Sequence, residues 1–188
     1  MTMSVREAFE RGTETFNAHD LDGLADVLAD DVVFEAPGGL RGEGKIACLA
    51  FYGSWFGAFP DAHLDVHRVH IIDDVAVEEG TFTGTHDGVL RGPTGDIPPT
   101  GRPVRIAYIH VLRFRDGKHV SFNLMFDRLS MLEQLSLICI GAQRKNRVAG
   151  STSWPSPHRR CPSVRGRVVR IDIRAANFDP KLRRYSKK

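Results

Sequence analysis

The apolar residues of this chain change their spacing once, near Pro60, and this change restricts the fold more than any other feature. Before Pro60, three stretches carry apolar residues at helical spacing, with one alternating segment, typical of a strand, at Val32 to Ala36. The helix signals are the capping box Ser4-x-x-Glu7, the N-cap Asp20, the start of the third stretch near Glu43, and the helix-ending Pro60. The first 60 residues are therefore predicted to form three helices and one strand.

After Pro60 the apolar residues alternate, which predicts strands. The predicted strands lie around Leu64/Val66, around Val75/Val77, from Val104 to Phe114 and from Val120 to Phe126. Short turns at Asp73-Asp74 and Asp116-Gly117 indicate antiparallel hairpins. Residues 87–102, rich in Pro and Gly, are expected to form a loop, and a last short helix is predicted at 129–137. This order predicts an α+β fold, a cone-shaped curved antiparallel sheet wrapped on three N-terminal helices, with an apolar interior.

Charge is divided unevenly along the chain. Residues 1–140 hold 12 Lys and Arg against 21 Asp and Glu, whereas residues 141–188 hold 14 against 2. We therefore predict one acidic domain over 1–140 and a basic, disordered tail over 141–188. Clustered cations favour contact with nucleic acid. The aromatic residues of the tail are too dispersed for a stacking platform, so a nucleic-acid partner is not expected.

Several classes of protein are excluded by simple features. No apolar run approaches the ~20 residues of a membrane span, and the N-terminus lacks the apolar core of a secretory signal. Three cysteines are too few for a disulfide framework, so we expect a cytoplasmic protein without membrane contact. His63 and His67 would lie ~13 Å apart on one strand face, with His70 on the other, so no metal site is predicted. The motif Gly42-x-Gly44-x-x-Ala47 precedes hairpins rather than a parallel unit, so no dinucleotide cofactor is predicted either.

Asp127 is the carboxylate that the sequence singles out. The strand before it has an apolar face with Phe122 and a mixed face that carries Asn123 and ends at Asp127. If the mixed face lines the cone, Asn123 can contact a substrate. Burial would then raise the pKa of Asp127 towards the range of proton exchange. The alternative is a helix cap, because Asp127 lies two residues before the last predicted helix.

Other candidate site residues are histidines and aromatic residues. His86 precedes the long loop, where it can act as a second proton-transfer or hydrogen-bonding group, or lie in a surface turn. His110 lies on an apolar strand face, which suits both a structural histidine and a cavity wall. Tyr52, Trp55 and Tyr108 are candidates for cavity walls with polar tips, or for the core.

Six segments carry a resemblance to a known family. They are residues 16–24 (FNAHDLDGL), 30–34 (DDVVF), 85–88 (THDG), 98–102 (PPTGR), 115–118 (RDGK) and 126–129 (FDRL). The first two resemble the opening of the nuclear transport factor 2-like superfamily. The other four are similar to its SnoaL-like polyketide cyclase, or ester cyclase, branch. The resemblance covers about residues 1–137.

This resemblance implies a cone-shaped barrel that forms a homodimer or homotetramer, with a hydrophobic cavity and no cofactor. It implies a small hydrophobic carbonyl substrate, and an aspartate at the position of Asp127 as general acid/base for an intramolecular aldol ring closure. His86 would have a supporting role. The alternatives are another chemistry on the same fold (isomerase, dehydratase or epoxide hydrolase) and a non-catalytic small-molecule-binding protein.

Overall fold

The computed structural model describes residues 3–92 and 95–138. The predicted tail at 141–188 lies outside these residues, so the division into domain and tail stays a prediction. The helices are α1 (Val5–Asn17), α2 (Leu21–Val27), α3 (Lys45–Ala58) and α4 (Arg128–Gln134). The strands are β1 (Leu28–Ala36), β2 (Leu40–Glu43), β3 (His63–Ile72), β4 (Val75–Thr85), β5 (Leu90–Gly92), β6 (Gly95–Ile97), β7 (Pro103–Arg115) and β8 (Lys118–Phe126). No helix in the described ranges is long and apolar enough to cross a membrane.

Six strands form the main sheet, in the order β2-β1-β8-β7-β4-β3. Neighbouring strands are antiparallel except β1 and β8, which pair in parallel. The remaining strands, β5 and β6, form a separate hairpin. The three N-terminal helices and the curved sheet confirm the predicted α+β fold, with the parallel pair as an addition.

The first two helices and the β7–β8 hairpin form through the capping and turn residues that predicted them. The backbone N–H of Ser4 donates to the Glu7 carboxylate at 2.8 Å, and the Ser4 hydroxyl accepts from the backbone of Glu7, which completes the capping box. Asp20 accepts from the Gly23 N–H at 2.9 Å and starts α2. The β7–β8 turn contains Asp116 at φ 53°, in the left-handed region that aspartate tolerates.

The core lies between the helices and the concave face of the sheet. Phe34 of β1 stacks on Phe122 of β8, with ring centroids 5.3 Å apart, and its ring lies 4.9 Å from that of Phe51 in α3. All three side chains are at most 9% exposed. These rings hold α3 across the parallel strand pair, and the cavity described below opens beside them.

The structure corrects the predicted strands in three places. β1 begins at Leu28 rather than Val32. The edge strand β2 was missed because Leu40–Glu43 has a single apolar side chain, although all four of its residues pair with β1. Residues 87–102 contain the hairpin of β5 and β6, which sequence alone does not predict because its stability comes from tertiary packing. Leu90 in this hairpin is 5% exposed.

The face of β8 that points inward is the apolar one. Phe122, Leu124 and Phe126 line the interior, whereas Asn123 lies on the opposite face. A register shift between β7 and β8 leaves Val120 without a direct partner. This bulge turns His119, 4% exposed, to the same side as Phe122. The prediction that Asp127 is buried required the mixed face of β8 to line the cone. The structure shows the apolar face there instead.

Candidate active site

A cavity, here called the main cavity, lies between α1, α3 and the concave face of the sheet. Its volume is about 80 Å³. Its walls are mostly apolar and include the aromatic rings of Phe9, Phe16, Phe51, Trp55, Phe82 and Phe122. The polar side chains on its surface are Thr13, Tyr52, Glu78, Tyr108, His110 and His119. An apolar enclosure with a few polar groups is the usual form of a small-molecule site.

Glu78 is the carboxyl group inside this cavity. It lies on the inward face of β4 and is 2% exposed. The Tyr108 hydroxyl, on the neighbouring strand β7, donates a hydrogen bond to Oε1 of Glu78. His110 is the backbone partner of Glu78 across the two strands, and its Nδ1 lies 3.9 Å from Oε2. The antiparallel register of β4 and β7 therefore assembles the three polar groups at one point of an apolar wall.

Gly80 makes the bond between Tyr108 and Glu78 possible. A Cβ atom at Gly80 would lie 2.6 Å from the Tyr108 hydroxyl oxygen and 2.7 Å from its ring. The tyrosine therefore lies flat against the backbone of β4, which directs its hydroxyl along the strand towards the carboxyl group two residues away. Any larger residue would displace this ring.

Burial sets the protonation states in the cavity. It raises the pKa of Glu78 to about 7, although the hydrogen bond from Tyr108 acts in the opposite direction. Burial also lowers the pKa of His110 to about 3 and that of His119 to about 4. Both imidazoles are therefore neutral at pH 7, and the 3.9 Å contact between His110 and Glu78 is not an ion pair. Near neutral pH, Glu78 exists in both its acid and its base form.

Two imidazole nitrogens in the cavity wall are available to a ligand. Nε2 of His119 donates to the carbonyl oxygen of Ala8 at 3.2 Å, so the proton is on Nε2 and Nδ1 is an acceptor. This Nδ1 and Nε2 of His110 are buried and have no hydrogen-bond partner among the described residues. Buried polar atoms normally have partners, so both nitrogens are suited to a hydrogen bond from or to a bound molecule.

Four of the predicted substrate-binding residues line the main cavity: Tyr52, Trp55, Tyr108 and His110. Burial and the nearby groups of Cys48 and Glu78 raise the pKa of Tyr52, so its hydroxyl stays protonated. Asn123 is the exception. It lies on the outer face of β8, because the inward face of that strand is the apolar one.

The structure places Asp127 at the start of α4, exposed to solvent. Its Oδ1 accepts from the backbone N–H of Ser130 at 3.0 Å, which is the N-cap interaction that the sequence offered as the alternative. Asp127 is not among the residues that line the main cavity. Glu78, and not Asp127, is the carboxyl group that is buried away from water. A chemical role for Asp127 stays a prediction.

His86 lies in the interior but outside the main cavity. It is fully buried, and its ring packs against Phe59 with centroids 5.2 Å apart. Nδ1 lies 3.1 Å from the Thr100 hydroxyl, and the His86 carbonyl accepts from the N–H groups of Thr100 and Gly101. Burial lowers the pKa of His86, with Asp87 acting against it. These contacts hold the segment after β6 against the end of α3, and a catalytic role for His86 stays a prediction.

The predicted strand histidines lie on the surface of β3. His63, His67 and His70 are all exposed, and Nε2 of His67 lies 3.4 Å from Asp65. The described residues contain no group of three or more His, Cys, Asp or Glu side chains placed to hold a metal ion.

Glu78 was not among the predicted site residues, because β4 was predicted only from the alternation of Val75 and Val77. These two valines are only partly buried, and the buried side chains of the strand are the alternate ones, which include Ala76 and Phe82. A usable signal was the run Glu78-x-Gly80-x-Phe82, in which a carboxylate, a glycine and an aromatic ring share one face.

The fold and the cavity define a class of protein: a small α+β cone that encloses an apolar ligand site between helices and a curved sheet. Residues 9–122, more than half of the chain, match the family model described as SnoaL-like domain. The chain therefore belongs to the SnoaL-like domain family, with the nuclear transport factor 2-like fold.

Solved structures agree with this assignment. IdmH of Streptomyces antibioticus, a proposed polyketide cyclase, is 26% identical with a TM-score of 0.59, over 70% of this chain and 98% of that one. A proposed SnoaL-like polyketide cyclase of Jannaschia sp. CCS1 is 20% identical with a TM-score of 0.64, over 72% and 93%. AclR of Streptomyces galilaeus, a proposed hydroxylase, is 24% identical with a TM-score of 0.61, over 71% and 82%. A comparison with curated proteins finds no match.

Proposed function

We propose that this protein catalyses cofactor-free general acid/base chemistry on a small hydrophobic carbonyl compound of the polyketide type. The reaction is an intramolecular aldol ring closure. The observation that carries the proposal is a carboxyl group, Glu78, enclosed in an aromatic cavity with a tyrosine hydroxyl as its hydrogen-bond donor. IdmH, a proposed polyketide cyclase, makes this reaction class the first to test.

In this reaction Glu78 moves one proton in each direction. The carboxylate takes a proton from the carbon next to a substrate carbonyl and leaves an enolate. The enolate carbon forms a bond to a second carbonyl carbon of the same molecule, whose C=O π electrons move to oxygen. That alkoxide takes the proton back from the Glu78 carboxyl group, so atoms and charge balance without a further reactant. A pKa of about 7 suits a group that must act first as base and then as acid near neutral pH.

The other polar atoms of the cavity have supporting roles. The Tyr108 hydroxyl stabilises the carboxylate form of Glu78 and fixes its orientation. A substrate carbonyl oxygen can accept from Nε2 of His110 in the tautomer that carries its proton there, and a substrate hydroxyl can donate to Nδ1 of His119. Asp127, the acid/base that the resemblance implies, is the second candidate for the proton-transfer role of Glu78.

The size and walls of the main cavity restrict the substrate. A cavity of about 80 Å³ is smaller than the ~150 Å³ that holds one benzene ring, so a ring compound requires the aromatic walls to move apart. The apolar walls exclude water, which strengthens hydrogen bonds to a developing oxyanion. They also fold a flexible chain so that its two carbonyl groups meet.

The experiment that tests this proposal is hydrogen–deuterium exchange at the carbon next to a carbonyl. The full chain is incubated in D₂O with linear aryl β-diketones and β-keto esters, and exchange above the buffer rate is followed by NMR. We expect the wild-type protein to accelerate exchange, and Glu78→Gln, which keeps the shape and the acceptor for Tyr108, to lose at least about 100-fold of that acceleration.

Matched variants separate the candidates. Glu79→Gln changes the neighbouring carboxylate, which lies 3.1 Å from Arg68 at the surface, and should leave exchange unchanged. Loss of exchange in Asp127→Asn, with normal exchange in Glu78→Gln, would transfer the role to Asp127. Ligand binding without any accelerated exchange would favour the non-catalytic binding protein. Formation of a rearranged or dehydrated product rather than a ring would favour an isomerase or dehydratase on the same fold.

Assembly and location complete the proposal. We propose a homodimer or homotetramer in the cytoplasm, as the resemblance and the sequence features imply, with no nucleic-acid partner. Light scattering on the purified full chain gives the subunit number, and a single-subunit mass would contradict this part alone.

A further inference from the structure

A second cavity, here called the annex, adjoins the main cavity. It lies between the β5–β6 hairpin, α3, the turn after β1 and the start of α4. Phe51, Trp55 and Phe126 line both cavities. The volume of the annex is about 60 Å³. The two cavities therefore meet at these three aromatic side chains.

The annex differs from the main cavity in its charge. Its titratable lining residues are Arg91 and Arg128, and no carboxylate among the described residues lines it. Arg128 is partly buried against the hairpin, where a Cβ atom on Gly92 would lie 3.8 Å from its Nη2. Neither guanidinium forms an ion pair or hydrogen bond with the described part of the chain. Asp96 is the backbone partner of Arg91 across the hairpin, so it balances part of that charge.

An arginine on an apolar wall without a carboxylate partner is suited to a ligand anion. A guanidinium presents paired N–H donors that match the two oxygens of a carboxylate. Because Asp96 offsets part of the Arg91 charge, the net charge of the annex is less than +2, which fits a singly charged carboxylate better than a phosphate dianion. Asp127, next to Arg128 in the chain, is directed to the N–H of Ser130 instead.

We propose that the annex binds the carboxylate of an amphipathic substrate, with Arg128 as the main contact and Arg91 as the second. The apolar, carbonyl-bearing part of the same molecule lies in the main cavity. This inference rests on the proposed function and narrows its substrate class to hydrophobic keto acids. The arrangement keeps the negative charge of the substrate away from Glu78, whose carboxylate form would be disfavoured by an anion beside it.

The test compares two probes of almost the same shape, 2-naphthylacetic acid and its uncharged amide. Binding to the full chain is measured by isothermal titration calorimetry at pH 7 in low salt. We expect the acid to bind about fivefold to tenfold more tightly than the amide, and about 0.5 M NaCl to reduce this preference. Arg128→Gln should abolish the preference, with a much larger loss of affinity for the acid than for the amide. Arg91→Gln should reduce it less, and Arg113→Gln, an exposed arginine of β7, should have no effect.

Three results would overturn the inference: equal binding of acid and amide, no binding of the acid at millimolar concentration, or an equal loss for both probes in Arg128→Gln. The last result would mean that Arg128 only shapes the site. The measurement needs no turnover, so it is independent of the exchange experiment. A preference for the acid without accelerated exchange would refute the proposed function alone. Accelerated exchange of neutral ketones without a preference for the acid would refute this inference alone.

Discussion

Replacing Glu78 by glutamine should change how the stability of the protein depends on pH. The unfolded carboxyl group has a pKa of 4.5, and burial raises this to about 7 in the folded protein. Below pH 4.5 the group is protonated in both states and contributes no pH dependence. As pH rises from 4.5 to 7 the unfolded chain loses its proton while the folded protein retains it, so stability falls. Above pH 7 the loss is complete and amounts to roughly 3 kcal/mol.

Other buried groups give slopes of the opposite sign, so the comparison must be made as a difference. His110 and His119 have folded pKa values of about 3 and about 4, below the 6.5 of the unfolded state. The unfolded chain therefore binds more protons below pH 6.5, and both histidines lower stability as pH falls. These contributions occur in the wild-type protein and in Glu78→Gln alike. The difference between the two free energies of unfolding isolates Glu78.

The assay is urea unfolding of the full chain, followed by circular dichroism at pH values from about 4 to 8. The free energy of unfolding of Glu78→Gln, relative to wild type, should rise by roughly 3 kcal/mol between about pH 4 and pH 8, with its midpoint between 4.5 and 7. Glu79→Gln, on the outer face of the same strand, should give a difference within about 0.5 kcal/mol at every pH. A flat difference for Glu78→Gln would show that this carboxyl group is not held out of water, and the proposed chemistry would lose its base.

The remaining predictions use the same two assays. Tyr108→Phe removes the hydrogen bond that lowers the pKa of Glu78. In the Tyr108→Phe protein, the pH midpoint of the stability change caused by Glu78→Gln should therefore move to higher pH, and an unchanged midpoint would contradict the bond. Gly80→Ala should cost about 1–3 kcal/mol in urea unfolding because its Cβ would lie 2.6 Å from the Tyr108 hydroxyl, and a neutral result would mean that the ring moves freely. Asp127→Ala should cost about 1 kcal/mol and Asp127→Asn less, since asparagine also caps helices, with deuterium exchange retained in both. Deleting residues 141–188 should leave exchange intact, and its loss would contradict the division into domain and tail.

Much of the fold could be predicted because its signals are local. The capping box at Ser4, the N-cap at Asp20 and the tight turn at Asp116 each act within about four residues, so a single sequence contains them in full. The parallel pairing of β1 with β8 joins segments about 90 residues apart, as in the pair Phe34 and Phe122. The sequence contains no local record of such a contact, and the antiparallel turns around it suggested the opposite direction.

The site depended on which face of each strand points inward, and alternation alone does not decide this. In β8 one face is almost wholly apolar, and it faces the cavity, because in this cone the inner surface is the dry one. Applying that rule to β4 would have failed, because Val77 is on the outer side and Glu78 on the inner. Glu78 is the exception. Its carboxyl group on the dry face of β4 raises the free energy of the folded protein above pH 4.5, so another interaction must compensate for that cost. Part of the compensation is the hydrogen bond from Tyr108, which requires glycine at position 80 because a side chain there would displace the tyrosine ring. The proposed acid/base chemistry accounts for a strand that combines this acid with the glycine that admits its hydrogen-bond donor, whereas stability does not.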